Sequence, residues 1–357
     1  MKTNRYAMTP AEQTVTRCAG LYTKYGYRRF LMNKFEDYAL YAENKNFLVD
    51  QRLLTFTDGS GLKALKPDVT LSIVKNMARD GRLPVKVFYN ETVYRIKKGE
   101  SEFSELRQMG LEHIGDDSLY ASAEVISLAK ASLDSINKGN ILDISHMGIL
   151  MPLIDRACLM GADREQLISL ILQKNADAIA SLLIGCGDST TLAVLVGSYK
   201  PIREAIPMLK KALPDCPAVT ELEEIASVLA AMGLDGGVYI DLSLMHDFGY
   251  YNGIIFKGYV KNVPVAVLSG GRYDPLLSRF GVQTAAIGFA IYLDYIEYAE
   301  ADDEPDVLLL YTDADSTESV ARAAQTLATQ GFGVMACKVA PENRKFAKTF
   351  TVKEVLS

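Results

Sequence analysis

The sequence predicts an α+β fold: a largely antiparallel sheet flanked by helices, with a helical stretch set into it and a short α/β piece at the end. Three observations carry this. Two β-rich runs, 84–96 and 103–115, are separated by one short charged loop, the pattern of an antiparallel hairpin. Residues 148–232 read as helix after helix, and strand patterns resume only at Val238. Strands and helices do not alternate in the regular order of a doubly wound sheet.

Composition narrows the function classes. The chain has 357 residues, 49% of them hydrophobic and 23% charged, so it has material for a large core. The formal net charge of −6 gives no global basic field for a polyanion. No run reaches the ~18 apolar residues of a membrane span, and the N-terminal MKTNRYAMTPAEQ has no apolar signal region. The five cysteines (18, 158, 186, 216, 337) form no Cys-x-x-Cys pair, and the histidines at 113, 146 and 246 are not spaced for a metal. A cytoplasmic protein without disulfide, metal or other cofactor is the expectation.

Taken in order, Thr9-Pro10-Ala11-Glu12 combines an N-cap, a proline at the first helical position and a capping-box glutamate. Val15, Ala19, Tyr22 and Tyr25 recur at helical spacing, and Gly26 stops the helix. Residues 27–38 begin with a mixture that suits a strand. Residues 50–57 read as a strand closed by Asp58-Gly59-Ser60-Gly61. Lys66-Pro67-Asp68-Val69-Thr70 is a turn into an amphipathic helix through Ile73, Val74 and Met77 to Arg79. After the hairpin come a helix at 117–133 and a short strand at 141–145. Strands are expected at 238–244, 250–260 and 263–268, the last two joined tightly through Lys261-Asn262. Gly270-Gly271-Arg272-Tyr273-Asp274 is expected to be a loop, and the apolar run 285–298 suits strand or helix. An acidic linker, 300–305, precedes strand 307–311, helix 317–329 and strand 333–339. The domain reading is 1–147 with 233–299 as core, 148–232 as a helical insertion, and 306–357 as a small terminal piece.

Chemistry concentrates on the second hairpin strand. At period two, Leu106, Gln108, Gly110, Glu112 and Ile114 share a face, so an amide and a carboxylate about 13 Å apart flank a glycine. Such acceptors suit an ammonium group; the same pattern also describes the solvent side of a half-exposed sheet. Asp68 fits two roles, a helix cap or a second carboxylate for the same ammonium. Tyr250-Tyr251 and Tyr273 suit a small-molecule pocket or simple packing across a sheet.

Read together, Leu65-Lys66-Pro67-Asp68-Val69-Thr70, Val93-Tyr94-Arg95, the Gln108-x-Gly-x-Glu112-x-x-Gly115 strand, Tyr250-Tyr251-Asn252, Gly270-Gly271-Arg272-Tyr273-Asp274 and Ala286-Ile287-Gly288-Phe289-Ala290 resemble the catalytic core of the histidyl-tRNA synthetases. The resemblance spans about 9–299 and implies a class II aminoacyl-tRNA synthetase fold, with 148–232 at the family's insertion and 306–357 as a truncated anticodon-binding remnant. It implies that Asp68, Gln108 and Glu112 bind the α-ammonium of histidine, with Thr70 in the same turn, and that Tyr250 or Tyr251 and Tyr273 approach the imidazole.

The departures fall on the nucleotide side. Tyr295 stands at the third-motif arginine that grips ATP, His246 replaces the arginine before the paired tyrosines, and Asn33 occupies the first-motif proline position. Arg95 matches a second-motif arginine, but the following Ile-Lys-Lys-Gly-Glu-Ser-Glu loop lacks the others. Losing one fixed transition-state donor costs ~10²–10³ in rate, and lysine does not reproduce a bidentate clamp. A retained amino-acid pocket with lost ATP and tRNA machinery is similar to the regulatory-subunit family of short-form ATP phosphoribosyltransferase. That family implies a hetero-octamer with the short catalytic subunit, L-histidine as effector, a self-dimer through the core and no aminoacylation. The alternatives are a divergent histidyl-tRNA synthetase and a synthetase-like scaffold for another partner.

Overall fold

The computed structural model describes residues 8–44, 52–80, 83–96, 102–186, 189–245, 250–296, 307–342 and 346–357. Helix α1 (Pro10–Lys24) starts as its sequence requires: Glu12 accepts from the Thr9 amide at 2.8 Å, and the Glu12 amide donates to Thr9 Oγ1 at 3.3 Å. There follow β1 (Arg28–Arg29), β2 (Phe35–Asp37), α2 (Tyr38–Glu43), β3 (Thr55–Asp58), β4 (Gly61–Leu65), α3 (Thr70–Asp80), β5 (Val85–Ile96), β6 (Phe103–Ile114), α4 (Leu119–Ile136) and β7 (Asn140–His146). The helical stretch holds α5 (Met147–Arg156), α6 (Gly161–Leu172), α7 (Ala176–Leu182), α8 (Ser189–Gly197), the two-residue β8 (Lys200–Pro201), α9 (Ile202–Ala212) and α10 (Pro217–Ala231). The chain then returns through β9 (Val238–Ile240), β10 (Ile254–Val260), β11 (Leu268–Arg272), α11 (Asp274–Arg279), β12 (Ala286–Tyr292) and α12 (Leu293–Ile296).

Nine strands form one sheet in the order β1-β5-β6-β12-β11-β10-β7-β9-β8, antiparallel except for β1 on β5 and β7 on β9. One face is apolar. Phe88, Leu111, Phe289, Phe256 and Ile144 are buried there, and the Tyr22 ring of α1 meets Phe88 and Phe289 edge-on at 6.0 Å each. Helix α4 covers the same sheet, with twelve buried residues from Ala121 to Leu133. Ser118 caps α4 by accepting from the Ala121 amide at 3.2 Å. Ser118→Ala is expected to lower stability by about 1 kcal/mol, read as a lower urea midpoint with an unchanged slope.

Several expectations are corrected. The strand expected at 50–57 begins at Thr55, and it turns through Asp58–Gly61 into β4, a hairpin partner the sequence reading passed over. Residues 27–38 contribute two short strands to different sheets. The strand expected at 263–268 lies instead at Leu268–Arg272, so the double glycine belongs to a strand and not a loop. Close approach explains this: a Cβ on Gly270 would meet the Gly288 carbonyl oxygen at 2.4 Å, and one on Gly271 the Ile254 carbonyl oxygen at 2.7 Å. Strand content is also shorter at 238–244 and 250–260, where only Val238–Ile240 and Ile254–Val260 pair.

Residues 14–299 form one compact unit, and the segment from Val307 belongs to another. In the latter, β13 (Val307–Leu310) pairs in parallel with β14 (Val334–Cys337) and with β15 (Thr349–Thr351), accompanied by α13 (Thr317–Thr329) and α14 (Val352–Leu356). The expected strand–helix–strand is therefore extended by a further strand and helix. The signal was present in Thr351-Val352-Lys353-Glu354, which forms a capping box. The acidic linker 300–305 lies outside the described residues.

Candidate functional site

Register assembles the site. Glu112 pairs with Val87 of β5 and with Gly288 of β12; Gly288 pairs with Gly271 of β11, and Gly271 with Ile255 of β10. This row crosses five strands on the face opposite α4, and Gln108 lies on that face between Glu91 and Tyr292. The glycines clear the space beside the carboxylate. A Cβ on Gly288 would stand 1.8 Å from Glu112 Oε2, and one on Gly271 would meet the Tyr251 ring at 2.7 Å.

Glu112 is the centre of the site. It is 2% exposed; its Oε1 accepts from Thr70 Oγ1 at 2.9 Å and its Oε2 from the Tyr273 hydroxyl at 2.6 Å. Thr70 opens α3 and Tyr273 immediately precedes α11, so two helix starts deliver two hydroxyls to one carboxylate. No described lysine, arginine or histidine forms an ion pair with it. Burial raises its pKa to about 8; the hydroxyl donors oppose that shift and the charge of Asp68 adds to it. Tyr250 stands edge-on to Tyr251 with ring centres 4.6 Å apart and lies 6.0 Å from the Tyr273 ring. Burial holds the hydroxyls of Tyr250 and Tyr273 well above their ordinary range, so both remain neutral donors.

The remaining sequence-picked residues take distinct places. Gln108 is buried, at 3% exposure, so the strand face is not a solvent face. Asp68 caps α3, accepting from the Leu71 amide at 2.9 Å, and its second oxygen lies 3.4 Å from Arg95 Nη2. Arg95 also donates to the Pro67 carbonyl, so the one matched arginine is committed to the turn around Asp68. Tyr295 lies on α12 with its ring 5.9 Å from Tyr292, and the preceding Asp294 accepts from the Arg107 amide and guanidinium at 2.9 and 2.8 Å. His246 lies outside the described residues. Three contributors were missed. Tyr89, paired with Gly110, brings its hydroxyl within 2.5 Å of where a Gly110 Cβ would be, and Tyr292 and Ser269 share the site's face. Alternation along β5 could have found Tyr89; the other two depend on strand order.

Chemically, the arrangement offers a buried carboxylate with neutral hydroxyl donors and no counter-cation among the described residues, which an ammonium group complements. Among the described residues no group of three or more His, Cys, Asp or Glu side chains could hold a metal ion, and no helix is long and apolar enough to cross a membrane. The raised pKa has two consequences. Because the folded state binds the Glu112 proton more tightly, its contribution to stability is complete below about 4.5 and is lost as pH rises through about 8. Conversely, an ammonium ligand needs the ionised form. Its affinity is expected to rise between pH 7 and 8, by at most about tenfold, with proton release seen by calorimetry in two buffers; a flat profile would refute the linkage.

The sequence matches the family described as histidyl-tRNA synthetase over residues 6–296. It is 29% identical over 330 residues to the ATP phosphoribosyltransferase regulatory subunit of Alkaliphilus metalliredigens, covering 87% of this chain and 83% of that one. It is 31% identical over 290 residues to the protein of the same description from Caldanaerobacter subterraneus subsp. tengcongensis, covering 78% and 76%. A crystal structure of an ATP phosphoribosyltransferase regulatory subunit/histidyl-tRNA synthetase from Bacillus halodurans superposes with a TM-score of 0.72 at 25% identity, covering 96% of this chain and 93% of that one. With the antiparallel sheet, its motif residues and these relatives in agreement, the chain belongs to the histidyl-tRNA synthetase family and, within it, to the group of ATP phosphoribosyltransferase regulatory subunits.

Proposed function

We propose that the chain is the regulatory subunit of a short-form ATP phosphoribosyltransferase, which supports the catalytic subunit and relays free histidine as a feedback signal without aminoacylating tRNA. The observation that carries this is Glu112, a buried carboxylate held by Thr70 and Tyr273 with no cation paired to it among the described residues. Histidine would place its ammonium there and its imidazole among Tyr250, Tyr251 and Tyr273, with Gln108 and Asp68 lining the same end. Loss of adenylation is the reading that the resemblance supports at the nucleotide end: Tyr295 occupies the position of the family's third-motif arginine, and the neighbouring Asp294 accepts from the Arg107 guanidinium. Relatives described as regulatory subunits support the role.

Histidine binding would control the partner only through different affinities for two states of the assembly, and the partner's state must then change histidine affinity by the same factor. In this reading the core self-associates around the first-motif region near Asn33. The assembly is a hetero-octamer, 148–232 is the insertion domain, and the unit from Val307 is a reduced anticodon-binding domain. Co-expression with a short catalytic subunit, followed by phosphoribosyl transfer with and without histidine, tests the proposal. Co-purification with histidine-inhibited transfer is the expected result; failure of the two chains to associate would overturn it. A second reading, a divergent histidyl-tRNA synthetase, rests on the same retained pocket. Histidine-dependent ATP–pyrophosphate exchange that disappears in Tyr273→Ala would favour that enzyme.

A further inference from the structure

A second cleft, of about 470 Å³, opens on the same face of the sheet with its floor three strands from that of Glu112. That separation is roughly 14 Å at the usual strand spacing. Lys257 of β10 and Asp143 of β7 are direct partners on its floor, and Tyr259 with Ile141 is the next pair on that face. Leu172 at the end of α6, Lys174 just beyond it, Tyr199, Asp241 and residues 243–245 form the walls.

Most of its polar groups already have partners. Asp241 accepts from Lys174 at 2.5 Å and from the Ser243 amide and hydroxyl at 3.0 and 2.7 Å. Asp143 accepts from the Tyr199 hydroxyl at 2.7 Å, and the Tyr199 ring stacks on Tyr239 at 4.8 Å. Lys257 differs. Although it faces Asp143 across the ladder, it makes no hydrogen bond or ion pair with a described residue. Burial lowers its pKa, with the charge of Asp241 opposing. Among the described residues, the cleft thus presents an uncommitted ammonium and one uncommitted carboxylate oxygen, from opposed strands, beside apolar Ile141, Leu172, Leu244 and Met245.

A simple anion would serve Lys257 and leave Asp143 uncompensated. A nucleotide would bring several negative charges beside Asp143 and Asp241. A zwitterion answers both ends, and the volume lies within the range of small-molecule sites. We propose that this cleft is a second amino-acid site, taking the carboxylate of a free apolar α-amino acid on Lys257, its ammonium on Asp143 and its side chain against Ile141, Leu172 and Met245. The inference stands independently of the Glu112 site.

The test is saturation-transfer NMR of the full chain with a pool of the twenty common L-amino acids, repeated on Glu112→Gln, Lys257→Met and Asp143→Asn. At least one apolar amino acid is expected to keep its signal in Glu112→Gln and to lose about tenfold in affinity in Lys257→Met and in Asp143→Asn. Its methyl ester, lacking the carboxylate charge, is expected to bind as weakly as in Lys257→Met. Thermal melts confirm folding, and Lys257→Gln replaces the methionine variant if that one misfolds. If no amino acid signal survives Glu112→Gln, or if the surviving signal is indifferent to both cleft substitutions, the proposal is overturned.

Discussion

Glu112→Gln is expected to weaken histidine binding by about 2–3 kcal/mol, roughly thirty- to 150-fold, while leaving the fold intact. The substitution keeps shape and one acceptor oxygen, and it removes the ionised form that a ligand ammonium requires. It also removes a group that resists ionisation where it lies: burial holds its pKa near 8. The variant is therefore expected to match or exceed the parent in stability at pH 8, because a neutral amide escapes the cost of a buried charge. Isothermal titration with histidine, on the chain alone and in its complex, reads the affinity; urea melts at two pH values read the stability. Unchanged affinity would mean that histidine is held elsewhere. Glu112→Ala is expected to lose histidine as well, but it strands the hydroxyls of Thr70 and Tyr273 and so confounds binding with local rearrangement.

Gly288→Ala is expected to have the largest effect on stability, more than about 3 kcal/mol, with histidine binding lost as well. Its Cβ would stand 1.8 Å from Glu112 Oε2 and 2.5 Å from the Leu111 carbonyl oxygen. A flexible side-chain end can swing away, but the Leu111 carbonyl is fixed in the β6–β12 ladder, and Glu112 is held from both sides by hydroxyl donors. Relief therefore requires moving a central strand. Gly20→Ala is the matched control. Its Cβ would meet nothing within 4 Å, inside α1, so a gain of about 0.5–1 kcal/mol is expected there. If Gly288→Ala melted like the parent and bound histidine normally, the close-packed row from Glu112 to Gly271 would be wrong.

The β5–β6 hairpin was legible because two long strands joined by a short loop have few alternative pairings, and period two then places Gln108, Gly110 and Glu112 on one face. The α1 cap was legible because a capping box is completed within four residues. The double glycine was misread for a physical reason. Gly-Gly usually marks a turn, and its place in β11 is decided by the Gly288 carbonyl of β12 and the Tyr251 ring from the segment before β10, both distant in sequence or brought in by the sheet. The hairpin of β3 and β4 went unread because its second strand, Gly61–Leu65, is only five residues long and becomes a strand by pairing on both sides, with β2 and β3.

The site divides in the same way. The residue types that suit an ammonium, and the absence of an arginine at Tyr295, are properties of the sequence itself. Which carboxylate is left without a cation is not. Asp68 and Glu112 look equivalent as acceptors, yet Asp68 faces Arg95 and caps α3, whereas Glu112 receives hydroxyls from Thr70, 42 residues away, and Tyr273, 161 residues away. The strand pattern and motif chemistry are local and follow from periodicity. The choice of Glu112 over Asp68, and a Lys257 opposite Asp143 with no partner among the described residues, are long-range outcomes of strand order and register, because only the assembled sheet determines which charges meet a partner and which are left facing a cavity.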